Sequence, residues 1–329
     1  MLQSVPTLRR LGASATIILI GLGLTSCSES SDVSSASEST TRTVDTAYGD
    51  IEVPSDPQRV VAVSYDTPWQ LAAVGVEPVA MQDYSAYASE FTAEQQELME
   101  NVSTVGAFFE LNIEAVMAAE PDLIVGDVLE IDEATWVELS KIAPTAIYEG
   151  AYRGDWRAIG AGVADSVGRA GAFQESAETY ESELARLQSE YAEVLERPWA
   201  AIGAGDVEGG FSVLYPGGSV GALYFDDLGA SFAPGIPEEE DGEKGWMYIS
   251  PELTQPVLGK AEIIVGGARP DGEFVDSLQL TTSTPLFQEL PAARSGDVYS
   301  VYSTVTDYGT ALAWLDAVEE TVLEPLARD

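Results

Sequence analysis

A G-x-S-x-G spacing, typical of a serine nucleophile between a strand and a helix, occurs at Gly217-Gly218-Ser219-Val220-Gly221. A serine hydroxyl attacks an acyl carbon only when a neighbouring base takes its proton, and that base is usually histidine. The chain contains no histidine. We therefore interpret the segment as a glycine-rich turn with Ser219 near the N-cap of a helix, and we expect no catalysis.

The run Glu238-Glu239-Glu240-Asp241-Gly242-Glu243 is the densest group of possible metal ligands. Carboxylate oxygens suit calcium, but this run lacks the alternating spacing of a calcium loop. Zinc sites use histidine and cysteine, and the chain has no histidine and one cysteine. We interpret the run as a solvated loop and predict no resident metal or cofactor.

Aromatic side chains concentrate where buried strands are predicted to end. In open α/β sheets, ligands bind outside the carboxyl ends of strands, and a bulky, partly apolar ligand suits an aromatic lining. A few arginines lie near the same positions. We predict a binding cleft lined by Tyr65, Trp69, Tyr84, Tyr87, Phe108, Tyr152, Arg153, Tyr215, Trp246, Tyr248, Arg269, Tyr302 and Tyr308.

The only cysteine, Cys27, follows a short apolar run. Arg9 and Arg10 precede that run, which is too short to span a bilayer, and this order is typical of a secretory signal. The ending Leu24-Thr25-Ser26-Cys27 resembles the bacterial lipoprotein box. The resemblance implies cleavage before Cys27, a lipid on its sulfur, and an outward-facing protein held at the cell membrane. We assign residues 1–27 to the signal and the polar residues 28–43 to a tether.

The net charge is −40, and it becomes −42 when the signal and its two arginines are removed. Nucleic acid is excluded as a partner, because phosphate binding requires clustered lysine and arginine. The charge indicates a solvated acidic surface.

Short apolar runs alternate with helical patterns from Val44 onwards. This βαβ alternation predicts parallel sheets covered by helices. A long apolar stripe then separates two such sets, which predicts an α/β lobe at 44–170, a connecting helix at 171–197 and a second α/β lobe at 198–329. Members of the stripe recur every three or four residues: Phe173, Ala177, Tyr180, Leu184, Leu187, Tyr191 and Val194.

Five segments, in order, resemble the substrate-binding proteins of ABC importers for ferric siderophores and vitamin B12. The resemblance covers roughly residues 44–325 and implies two Rossmann-like lobes joined by one helix, with the ligand between them. The segments are Thr46–Val61, Leu71–Pro78, Asn112–Ile124, Ala143–Thr145 and Ser250–Leu253. In this family one glutamate on each lobe docks onto the permease, and the matching positions are Glu114 and Glu252.

The resemblance implies a monomeric protein that captures a ferric siderophore, whose iron the siderophore itself holds. Ferric tris-catecholate and citrate complexes carry several negative charges and need a dense arginine cluster, which this chain lacks. A neutral or cationic ferric hydroxamate needs only one or two donors. We therefore favour a hydroxamate.

Other interpretations stay open. Cobalamin is neutral and bulky, so it also suits an aromatic cleft, and tyrosine could replace histidine as the axial ligand of heme. Outside this family, an extracellular hydrolase that uses carboxylates, or a sensor that binds a ligand without transporting it, is compatible with the composition.

Overall fold

A two-stranded antiparallel ribbon begins the part of the chain that the structure describes. The computed structural model describes residues 40–150, 155–239 and 245–328, so the predicted signal and Cys27 lie outside the described residues. Strand β1 (Thr41–Val44) pairs with β2 (Ile51–Pro54). A strand therefore begins inside the segment predicted as a tether, and Arg42 Nη1 donates a hydrogen bond to Asp165 Oδ1 at 3.1 Å.

The first large sheet has six strands: β3 (Val60–Ala62), β4 (Ala80–Asp83), β5 (Ser103–Ala107), β6 (Glu110–Leu111), β7 (Leu123–Asp127) and β8 (Thr145–Tyr148). Their order is β6-β5-β4-β3-β7-β8, and all neighbouring pairs are parallel except β5 with the short edge strand β6. Strands β3, β7 and β8 are buried throughout, as expected for strands covered on both faces. The apolar runs identified in the sequence therefore form the core of a parallel sheet.

The second large sheet contains β9 (Pro198–Ala204), β10 (Phe211–Leu214), β11 (Ser231–Phe232), β12 (Trp246–Ile249), β13 (Ile263–Gly267) and β14 (Val298–Val301). Strands β9, β13 and β14 are parallel, whereas β10 is antiparallel to β9 and to β12. Only residues 205–210 separate β9 from β10, and a parallel crossover needs about a dozen residues or more. The sheet is consequently mixed.

Helices cover both sheets. Those before the second sheet are α1 (Thr67–Ala73), α2 (Ala93–Asn101), α3 (Ile113–Ala118), α4 (Glu133–Leu139), α5 (Trp156–Ser166), α6 (Ala170–Glu190) and α7 (Ala192–Leu195). Those after its start are α8 (Ser219–Ala222), α9 (Thr254–Leu258), α10 (Asp276–Thr282), α11 (Pro285–Gln288), α12 (Pro291–Ser295), α13 (Tyr308–Val318) and α14 (Glu324–Arg328). Short 3₁₀ turns occur at Ser85–Glu90 and Pro251–Leu253, and π-helical turns at Leu223–Asp227 and Glu319–Leu323.

The connecting helix α6 carries the apolar stripe read from the sequence. Tyr180 and Leu187 are buried in one cluster with residues of the second sheet, such as Trp199, and with α13. The helix ends at Tyr191, whose backbone leaves the helical region, and α7 continues for one more turn. Tyr191 donates a hydrogen bond to Glu319 Oε1 at 2.8 Å, at the π-helical turn that follows α13.

Two α/β lobes with central sheets and one long helix confirm the predicted fold class. Among the described residues, no helix combines the length and the apolar character needed to cross a membrane.

Candidate ligand-binding cleft

Loops from both sheets enclose a cavity of about 410 Å³. The first sheet contributes Tyr65 and Asp66 after β3, Phe108 and Phe109 after β5, and Asp127, Leu129 and Glu130 at the end of β7. The second side contributes Ser219, Val220 and Leu223 near α8, Trp246 at the start of β12, and residues 303–306 after β14. The residues from the first sheet lie at the carboxyl ends of β3, β5 and β7, which is where ligands bind in open α/β sheets.

Aromatic rings form one wall of the cleft. The ring of Phe108 lies 5.4 Å from that of Tyr65 and 4.3 Å from that of Phe109, measured between centroids. Phe109 is 59% exposed and has a φ of 60°, a left-handed backbone that is uncommon outside glycine. Strained residues of this kind cluster at ligand sites, because the surrounding structure holds a side chain where a ligand meets it.

Trp246 faces the same cavity from the second lobe. Its ring centroid lies 4.6 Å from that of Tyr248, and both side chains are exposed. A neighbouring cavity of about 360 Å³ over the second sheet includes both residues and shares Ser219, Val220 and Ser303 with the cleft. The two cavities therefore form adjoining parts of one binding region.

Three carboxylates, those of Asp66, Asp127 and Glu130, also line the cleft. Burial, together with the nearby Asp127, Glu130 and Asp307, raises the pKa of Asp66 to about 8. Burial also raises the pKa of Glu130 to about 6, although Tyr65 N and Gln82 Nε2 donate to its oxygens at 2.7 and 2.9 Å.

Asp127 is buried as well, and burial raises its pKa despite a hydrogen bond from Leu129 N at 2.9 Å. Asp66 precedes α1 but its side chain caps no backbone N–H of that helix. The carboxyl groups of Asp66 and Asp127 therefore keep oxygens that can still accept hydrogen bonds, and a positively charged ligand atom in the cleft could contact them.

Among the residues that the structure describes, no lysine or arginine lines the cleft. Arg269 Nη1 lies 2.6 Å from Asp276 Oδ1, and Arg269 Nε lies 3.6 Å from Asp271 Oδ2. Arg157 pairs with Asp227 and stacks 4.3 Å over the ring of Trp156. Tyr152 and Arg153 lie outside the described residues.

Several predicted site residues lie elsewhere. Trp69 and Tyr84 are buried in the core of the first lobe, and Tyr215 is buried in the second, where its hydroxyl donates to Pro237 O at 2.8 Å. Tyr87 is exposed with its ring 5.8 Å from Phe108, and Tyr308 packs on Trp156, Phe173 and Tyr180. The hydroxyl of Tyr302 donates to Glu90 O at 2.9 Å, which joins the segment after β14 to the first lobe.

The two predicted docking glutamates are both exposed. Glu114 lies in the first turn of α3, where Asn112 Oδ1 accepts hydrogen bonds from Glu114 N and Ala115 N at 3.0 and 3.1 Å. Glu252 lies in the 3₁₀ turn Pro251–Leu253, which precedes α9. Each carboxylate is thus accessible to a partner outside the chain.

The family model described as "Periplasmic binding protein" matches residues 60–304. The chain belongs to the periplasmic binding protein family. Its sheets, its connecting helix and its cleft are those of a protein that binds a ligand between two lobes.

Relatives within this family include the probable siderophore-binding lipoprotein YfiY of Bacillus subtilis, 26% identical over 84% of this chain and 85% of the relative. A siderophore periplasmic binding protein from the fuscachelin gene cluster of Thermobifida fusca is 28% identical, with a TM-score of 0.70, over 80% of this chain and 96% of that one. Staphylococcus aureus SirA, solved with staphyloferrin B, is 18% identical with a TM-score of 0.67, over 85% and 98% of the two chains, and shares the fold.

The sequence interpretation missed the carboxylates and Phe109 as lining residues of this periplasmic binding protein. The same strand-end rule that selected Tyr65 also identifies Asp66, and it selects Asp127 and Glu130 once β7 is extended to its observed end. The left-handed backbone of Phe109 has no sequence signal, because phenylalanine rarely adopts it.

Proposed function

We propose that this periplasmic binding protein captures a ferric siderophore and delivers it to the permease of an ABC importer. The aromatic cleft between the lobes is the observation that carries the proposal, because stacked rings suit a bulky, partly apolar complex. The siderophore-binding names of two relatives, each more than 25% identical, support the same ligand class. A lipid on Cys27 would hold the protein at the outer face of the cell membrane.

The charge of the cleft favours a hydroxamate siderophore. Asp66, Asp127 and Glu130 line the cavity, and Arg157 and Arg269 are engaged by acidic partners. A ferric tris-catecholate carries several negative charges, so the carboxylates would repel it. A neutral or cationic ferric hydroxamate avoids that repulsion.

The side chains proposed to contact the complex are those that the two cavities bring together. They are Tyr65, Phe108, Phe109, Trp246 and Tyr248. Arg153, which lies outside the described residues, is proposed from the sequence as a donor to the iron-bound oxygens. An exposed aromatic ring that becomes covered by a ligand contributes much of the binding energy in many complexes.

A calorimetric titration tests this function. The purified protein is titrated with ferrioxamine B, a cationic ferric hydroxamate, with ferrichrome, a neutral one, and with ferric enterobactin, a ferric tris-catecholate. Cobalamin and heme are titrated in the same way. We expect micromolar or tighter binding of at least one hydroxamate and much weaker binding of the catecholate. Preference for ferric enterobactin would overturn the electrostatic argument, and binding of cobalamin or heme alone would reject siderophore capture.

Trp246→Ala locates the site. We expect a loss of about 2 kcal/mol in binding free energy, or about thirtyfold in Kd, because the variant removes a large ring from the mouth of the cleft. Leu286→Ala is the matched control, since Leu286 is similarly exposed but lies on α11. Equal affinities of the two variants would place the ligand outside the cleft.

A further inference from the structure

A second concave region shares no lining residue with the cleft. It has a volume of about 630 Å³ and lies between α1, α2, α6 and the start of α13. The exposed methyl groups of Ala72, Ala73 and Ala313 form parts of its wall, together with the half-buried Leu98. Ligand cavities are usually of this size and are lined by apolar groups around a few polar ones.

Two buried donors in this lining have no acceptor among the described residues. Trp69 is 3% exposed and Gln95 is 7% exposed, and neither Trp69 Nε1 nor Gln95 Nε2 has a hydrogen-bond partner. The orientation of Gln95 is fixed by a capping box, in which its Oε1 accepts from Thr92 N at 3.0 Å. Its amide nitrogen is therefore left without an acceptor, and buried donors of this kind are rare in folded proteins.

The remaining charged groups of the lining are acidic. Glu77, Glu94 and Glu97 are exposed at its edge, and the described lining contains no lysine or arginine. Asp307 is also present, but its Oδ1 accepts from Gly309 N and Thr310 N, so it is satisfied within the chain. An anionic ligand would be repelled here, whereas a cationic one would be attracted.

We propose that this region is a second ligand site for a small organic cation with an apolar body and a carbonyl oxygen. The carbonyl accepts hydrogen bonds from Trp69 Nε1 and Gln95 Nε2. The apolar body packs against the alanine wall and Leu98, and the cationic end faces the exposed glutamates. The site is separate from the siderophore cleft and does not depend on the function proposed for it.

The probe 6-aminohexanamide carries all three features, and its signal is read from the indole N–H resonance of Trp69 in a ¹⁵N spectrum. The variant Trp69→Phe identifies this resonance by removing it. We expect a saturable shift with 6-aminohexanamide, about tenfold weaker binding of hexylamine, which lacks the carbonyl, and no shift with hexanoate, which is anionic. Absence of a shift with 6-aminohexanamide, or equal binding of hexanoate, refutes the site.

The variant Gln95→Glu separates hydrogen bonding from charge. It keeps the side-chain oxygen that accepts from Thr92 N but removes the amide donor and adds a negative charge. We expect 6-aminohexanamide to bind at least fivefold more weakly while hexylamine binds as well or better. Gln279→Glu, at an exposed position on α10, is the control for added charge. Unchanged or tighter binding of 6-aminohexanamide to Gln95→Glu shows that the donors do not hold a carbonyl.

Discussion

Ionisation of Asp66 makes the affinity for a cationic siderophore depend on pH. With a pKa of about 8, the carboxyl group is ionised in about one molecule in ten at pH 7 and in about nine in ten at pH 9. A cation in the cleft is attracted to the ionised form. The Kd of ferrioxamine B should therefore fall by about tenfold between pH 7 and pH 9, while that of neutral ferrichrome stays nearly constant.

The substitution Asp66→Asn isolates this effect. The variant keeps the shape of the side chain but cannot ionise, so its affinity for ferrioxamine B should lose most of the rise between pH 7 and pH 9. Glu133→Gln, an exposed change in the first turn of α4, is the control and should keep the rise. Titrations at half-unit intervals of pH measure both profiles. A flat wild-type profile, or one that Asp66→Asn leaves intact, refutes the assignment of Asp66 as a charged contact.

The same carboxyl group affects stability with a definite sign. Its folded-state pKa of about 8 exceeds the value of about 3.9 in an unfolded chain, so the folded state binds more protons between these values. The free energy of unfolding should therefore fall as pH rises through this interval. The difference in melting temperature, Asp66→Asn minus wild type, should therefore increase from pH 5 to pH 9. Thermal unfolding followed by circular dichroism measures this difference.

Three further predictions concern the rest of the chain. Cys27→Ala should leave the protein without lipid, so a metabolically incorporated fatty acid that still labelled the variant would reject the anchor. The net charge of −40 implies self-repulsion, which salt screens over about 8 Å at physiological ionic strength. The melting temperature should therefore rise between low salt and about half-molar sodium chloride. A falling melting temperature would show that the acidic groups are already well paired. Glu114→Arg combined with Glu252→Arg should keep siderophore affinity within about twofold yet abolish uptake, because like charges across an interface cost several kcal/mol. Normal uptake by this double variant at wild-type protein levels would remove both residues from the docking role.

The fold was predictable because its main signals are periodic. The stripe from Phe173 to Val194 fixed the connecting helix, and the apolar runs fixed the buried strands. The antiparallel direction of β10 was not predicted, because an apolar run does not encode the direction of a strand and only the short connection at 205–210 excludes a parallel crossover.

The site was only partly predictable because a strand-end position does not set the direction of a side chain. Tyr65 and Trp69 both follow β3, but α1 begins between them, and its turn buries Trp69 against Phe91 at 5.1 Å. Tyr65 stays at the cleft. Convergence of Asp66 and Glu130, which are distant in sequence, arises from the packing of β3 beside β7 and has no local signal.

The hydrogen bond from Tyr302 to Glu90 has a main-chain acceptor. A substitution at position 90 therefore leaves this hydrogen bond intact. A substitution at position 302 preserves it only if the new side chain places a hydroxyl group as far from the backbone as tyrosine does. A single nucleotide change converts a tyrosine codon into one for phenylalanine and removes the bond. Since a neutral hydrogen bond contributes about 1 kcal/mol, that one mutation would lower the equilibrium constant for forming this contact by about fivefold. A mutation in the codon for residue 302 can therefore remove this hydrogen bond, whereas a side-chain substitution at position 90 leaves its acceptor in place.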